Sequence, residues 1–160
     1  MLYPQLLKDD FERLPRALRE FHSRPGGGRA SGTVAVRHVS GLLARLLGFP
    51  ASGDHIPAQL EVISSEKEEV WIRRFGGVVR KSVQTRSGDL LLEKAGPVRV
   101  FFRLLASDGE LRFESERVLL WMIPVPLRVE ARARGGDSGW EFEVTIAHVG
   151  SYRGSMLPSP

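Results

Sequence analysis

The chain has 160 residues, 42% of them hydrophobic and 26% charged, enough for one packed core and unlike a disordered or fibrous protein. Cysteine is absent, which excludes disulfides and thiolate metal sites and fits a reducing compartment. The net charge of +4 raises nucleic acid as a partner, but most cations alternate with acids, as in Arg112, Glu114, Glu116 and Arg117. The acid-free run from Arg73 to Arg86 reads as a basic strand pair, and nucleic acid is not expected.

No stretch approaches the roughly 18 consecutive apolar residues of a membrane span. The charges between Met1 and Phe21 rule out the apolar region of a secretion signal, so a cytoplasmic location is expected. A single domain over 1–160 is predicted, with a helical segment at 1–23 and a β-barrel over 29–157 that carries a short helix at 40–47.

In chain order, Pro4 suits a first helical turn, and Leu7, Phe11, Leu14, Leu18 and Phe21 recur on one helical face. Pro15 interrupts this face, which predicts two short helices, Pro4 to Arg13 and Pro15 to Ser23, lying on a sheet or over the end of a barrel. Arg24-Pro-Gly-Gly-Gly is a break, and Ala30 to Val39 is a strand weakened by Gly32. Ser40 caps the short helix bearing Leu42, Leu43, Leu46 and Leu47, which Gly48 and Pro50 end.

From Ala58 onward the pattern is a meander: Ala58–Ile63, Glu69–Phe75, Val78–Arg86, Asp89–Lys94, Val98–Ala106, Glu110–Trp121, Leu127–Arg134, Trp140–Val149 and a last piece, Ser151–Leu157. Met122-Ile-Pro-Val-Pro separates two strands, since proline cannot donate to a ladder. A meander this long curls, and closure removes its edges. The expected fold is therefore mainly β, a curled or closed antiparallel barrel of the lipocalin or fatty-acid-binding kind. The alternative is a helix-grip fold, which normally ends in a long C-terminal helix that this chain lacks.

Two-residue turns at Gly76-Gly77, Ser87-Gly88 and Gly96-Pro97 set Trp71 opposite Ser82, Ser82 opposite Glu93 and Glu93 opposite Val100. On that register Trp71, Arg73, Ser82, Glu93 and Arg117 point into the barrel and are the candidate ligand-binding residues. A one-residue slip at Gly96-Pro97 turns the first four outward. Buried charges persist when paired, so Glu93 is expected within reach of Arg73 or Arg117. Such a pair either serves the fold alone or leaves a surplus guanidinium for an anionic ligand.

Of the four histidines, His22 reads as a cation favouring a helix C-terminus, and His148 as a hydrogen-bonded histidine at the core edge, in phase with Trp140, Phe142, Val144 and Ile146. No metal spacing, nucleophile elbow or phosphate loop occurs, so no metal or cofactor is assigned and no catalytic residue is named.

Several pieces together resemble an uncharacterised bacterial family, domain of unknown function 4166. They are Leu14-Pro15-x-x-Leu18-x-x-Phe21-His22, Gly41-Leu-Leu-Ala-Arg-Leu-Leu-Gly48-Phe-Pro50, Trp71-x-Arg73-x-Phe75-Gly76-Gly77, Leu92-Glu93-x-x-Gly96-Pro97, Ile123-Pro124-x-Pro126 and Tyr152-Arg153-Gly154. Lys94-Ala95 and the absence of an aromatic after Gly154 depart from its pattern. The resemblance implies no activity, but its similarity to domains appended to nicotinamide-dependent reductases implies an accessory role beside such a domain.

The function expected from these residues is a binding module that holds a small, largely apolar or amphipathic anion inside the barrel. A cyclase or isomerase using the same cavity, with Glu93 or a histidine as acid–base, and an accessory interaction domain are the alternatives.

Overall fold

The computed structural model describes residues 1–41, 44, 50–107 and 109–160. The expected helix at 40–47 lies largely outside them. Of that stretch, Ala44 is buried and its N–H donates to the Ser40 carbonyl at 2.9 Å.

Eleven strands are present among the described residues: β1 (Gly27–His38), β2 (Gly53–Ser64), β3 (Glu68–Phe75), β4 (Val78–Ser87), β5 (Leu90–Ala95), β6 (Val98–Ser107), β7 (Glu110–Leu120), β8 (Ile123–Val125), β9 (Val129–Gly135), β10 (Trp140–Ile146) and β11 (Gly150–Pro158). Each pairs antiparallel with its neighbours. Ten of them close a barrel in the order β1 to β7, then β9, β10, β11 and back to β1. Because the sheet closes on itself, the fold is the expected barrel and not the helix-grip alternative.

Closure is made by β1 and β11, in register from Ala30 opposite Pro158 to His38 opposite Gly150. Glycine is required at this seam. A Cβ on Gly32 would stand 1.8 Å from the Ser155 carbonyl oxygen, and one on Gly154 would stand 2.1 Å from that of Thr33. The glycine that weakens β1 as an isolated strand is what lets the first and last strands meet.

The N-terminal segment closes one end of the barrel. It forms α1 (Leu2–Leu7), a 3-10 turn (Lys8–Arg13) and α2 (Arg16–Ser23), so the first helix starts earlier than expected and breaks at Lys8, where φ is 52°. The Ala17 N–H donates to the Gly136 carbonyl, which seats α2 on the β9–β10 turn. Leu2, Tyr3, Leu7, Phe11, Leu14, Leu18 and Phe21 are all buried and join the barrel core.

Three other expectations are corrected. The turn after β4 is Gly88-Asp89, not Ser87-Gly88, because Gly88 at φ 65° takes the first central position that such a two-residue hairpin reserves for glycine. The register therefore moves by two residues, placing Glu93 opposite Gln84 instead of Ser82, and a shift of two keeps every side chain on its face. The Ile123-Pro124-Val125 stretch, expected as a break, is the short strand β8. It pairs with β7 alone and so tolerates Pro124 at the sheet margin. Finally, β10 stops at Ile146, and His148 lies exposed in the following turn at φ 64°, not at the core edge.

Leu18 is 1% exposed between the helical cap and the barrel. Leu18→Ala is expected to cost about 2–5 kcal/mol, read as a lower urea midpoint with an unchanged slope.

Candidate functional site

A cavity of about 270 Å³ runs through the barrel. Leu18, Phe21 and His22 of the helical cap line one end, and Pro50, Val98 and Val125 line the other. Most of the wall is aliphatic or aromatic. The polar side chains converge on β3, β4 and β5, where Arg73, Arg80, Ser82, Gln84 and Glu93 face the cavity.

Strand alternation assembles this polar wall. On β3 the residues Trp71, Arg73 and Phe75 share a face, and Arg80, Ser82 and Gln84 continue it on β4 through the pairs Arg73–Arg80 and Trp71–Ser82. Glu93 adds the carboxylate from β5. Its Oε1 accepts hydrogen bonds from Arg73 Nη1 at 3.0 Å and Ser82 Oγ at 2.6 Å, and its Oε2 accepts from Gln84 Nε2 at 3.1 Å. Arg73 Nη1 also donates to Ser82 Oγ at 2.8 Å, and its guanidinium carbon lies 4.8 Å above the Trp71 ring. Burial alone would raise the Glu93 pKa, but the Arg73 charge and these donors outweigh it and hold the carboxyl below its ordinary value.

Trp71, Arg73, Ser82 and Glu93 thus meet in one network, whereas Arg117 does not join it. Opposite Phe101 and Phe102 of β6, strand β7 offers Arg117 and then Ser115, so Glu116 is an extra residue that bulges the strand. The bulge reverses the alternation, turning Val118 and Leu120 inward and leaving Arg117 exposed outside, 4.1 Å over the Phe101 ring.

Several groups of this region escaped the sequence reading. Gln84, 1% exposed, accepts from the buried Tyr3 hydroxyl at 2.9 Å while donating to Glu93, which ties the helical cap to the polar wall. His22 is not the expected terminal cation. It is buried, with its ring 3.8 Å from Tyr3 and 5.9 Å from Trp71, and burial lowers its pKa to about 3, so it is neutral. Its spacing of four from Leu18 was the available signal, because that places both on the buried face of α2.

Glu69 is 2% exposed and accepts from the Trp71 indole at 3.1 Å. Desolvation raises its pKa to about 6 against the hydrogen bond from Trp71, yet it does not line the cavity. Arg80 stands directly across the ladder from Arg73; burial and then, among its neighbours, the Arg73 charge lower its pKa against the influence of Tyr152 and Glu93. It remains a cation at neutral pH.

The family described as a domain of unknown function (DUF4166) matches residues 14–156, nearly the whole chain, and the chain belongs to it. No curated protein and no solved structure matches the chain.

Two outcomes follow from the network. Glu93→Gln is expected to destabilise by about 3–5 kcal/mol in chemical denaturation, because it strands the Arg73 guanidinium. The second concerns acid. His22, depressed from 6.5 to about 3, contributes stability above pH 6.5 that drains away as the pH falls below it. Glu69, raised from 4.5 to about 6, acts oppositely: its contribution is full below pH 4.5 and lost as the pH rises through 6. Between pH 6 and 4.5 the two offset each other, so Glu69→Gln should make Tm fall more steeply with acid in that window than it does in the wild type.

Proposed function

We propose that this member of the DUF4166 family is a binding module, holding a small, largely apolar molecule with an anionic head inside the barrel. The observation that carries the reading is a mostly apolar cavity whose polar wall brings Arg73 and Arg80 side by side across β3 and β4. Like charges directly opposite on a sheet repel. A carboxylate or phosphate placed at this wall would ease that repulsion and take the bidentate geometry that guanidinium groups offer.

The cavity's size and lining suit such a ligand. Its volume corresponds to roughly nine waters, near the lower end of small-molecule sites. The aromatic and aliphatic wall, with Trp140, Phe142 and Met156 toward the helical cap, would take the apolar part. The acid–base alternative draws less support. Glu93 is held ionised, His22 is held neutral, and Glu69, which titrates near 6, stands outside the cavity lining.

A matched pair of probes tests the reading: decanoate and decanol, each competing with a fluorescent fatty acid. Arg80→Gln is expected to weaken decanoate about 10–100-fold, the worth of a charge-assisted hydrogen bond, while leaving decanol little changed. Equal affinity of the wild type for acid and alcohol, or no binding of either, would reject an anionic ligand. Native mass spectrometry of the purified protein would identify any small molecule it already carries.

A further inference from the structure

At the end of the barrel away from the helices, β7 and β8 are joined by a two-residue turn of Trp121 and Met122, with Leu120 paired to Ile123. Trp121, Met122 and Ile123 are 67%, 57% and 66% exposed. Other exposed large apolar residues, such as Ile63 and Leu157, are single positions along strands, which is ordinary for a surface. Here three are consecutive and form the tip of a projection.

The backbone of this tip is also unusual. Trp121 and Met122 lie at φ 46° and 71°, a left-handed pair that hairpins normally give to Asn-Gly because bulky residues are strained there. The ladder from Val118 to Leu120 and the hydrogen bond from the Trp121 N–H to the Pro97 carbonyl, at 3.0 Å, hold the turn in place. Strain that displays two large apolar side chains to water contributes nothing to the core, so it calls for a contact outside the molecule.

The surroundings indicate which contact. On the outer face of β5 and β6, Lys94 stands opposite Arg99, one register step from the Ala95–Val98 pair that ends at the Gly96-Pro97 turn. Neither makes an ion pair among the described residues, and Arg117 on β7 packs over Phe101. The nearby acids are engaged: Glu116 by Arg103 at 2.7 Å and Glu130 by Arg128 at 2.6 Å.

We propose that the Trp121-Met122-Ile123 tip inserts into an anionic lipid bilayer, with Lys94, Arg99 and Arg117 against its headgroups. A specific protein partner would need roughly 800 Å² of surface, some 20–30 residues, and a projecting three-residue tip offers too little. A bilayer interface needs only an apolar wedge, preferably with tryptophan, and cations behind it. The docking does not depend on the ligand proposed above, but it would bring the cavity end lined by Leu120 and Val125 to the lipid surface.

Tryptophan emission reports insertion directly, since Trp71 and Trp140 are 9% and 8% exposed and Trp121 alone is in water. With vesicles of equimolar phosphatidylcholine and phosphatidylglycerol, the wild type should co-sediment and its emission shift to the blue. Lys94→Gln with Arg99→Gln should weaken that binding about 30-fold, at roughly one kcal/mol per lost cation. Trp121→Asn with Met122→Gly installs the residues the turn favours, so the variant should melt no lower than the wild type and yet lose the vesicles. Absence of wild-type binding, binding without an emission shift, or binding kept by the turn variant would each overturn the proposal. A wild-type dimer that the turn variant abolishes without lipid would overturn it in favour of a second copy of this chain.

Discussion

The rest of the structure is organised by the need to keep one carboxylate charged inside an apolar barrel. Glu93 is 17% exposed and its arginine partner 20%. At that depth an unpaired charge would cost several kcal/mol, so each donor that reaches it fixes something beyond the pair itself. Arg73 and Ser82 align β3, β4 and β5. Gln84, which donates to Glu93 and accepts from Tyr3, extends the constraint to α1, so the first residues of the chain are held by the same network that shapes the cavity wall. The helical cap is therefore anchored by polar geometry as well as by its apolar stripe.

That dependence explains why the cap is rich in aromatic contacts. Tyr3, His22 and Trp71 lie within 6.4 Å of one another by ring centroids, and Phe21 lies 4.8 Å from Trp140. Rings fill the end of a barrel at low entropic cost, and their polar atoms find partners there: the Tyr3 hydroxyl on Gln84 and the Trp71 indole on Glu69. The neutral imidazole of His22 sits among them, which is why the group that sequence position suggested as a surface cation behaves as part of the lining.

Most of the fold was legible because its signals are local. Strand alternation and glycine turns located the strands of the barrel, and the Gly76-Gly77 and Gly96-Pro97 turns put Trp71, Arg73, Ser82 and Glu93 on one face. The misplaced turn at Gly88 did no harm to that face, since a shift of two preserves parity. What could not be read was non-local or irregular. Nothing adjacent to Tyr3 in the chain announces Gln84, 81 residues away. The bulge at Glu116 has no glycine or proline to mark it, and it alone decides that Arg117 faces water. The apolar Trp-Met turn contradicts ordinary hairpin chemistry, so it read as the end of a strand and not as a hairpin.

The Glu116 bulge has an implication for how this barrel can diverge. Strand parity acts as a binary switch on everything beyond the irregularity. Taking residue 116 into the ladder as a paired residue, in place of the bulge, would exchange the two faces of the upper part of β7, carrying Arg117 inside and Val118 outside with no change of sequence. Related chains that differ only in whether this stretch bulges would thus hold interiors of different charge, and discriminate between different ligands, with no substitution in the wall formed by β3, β4 and β5.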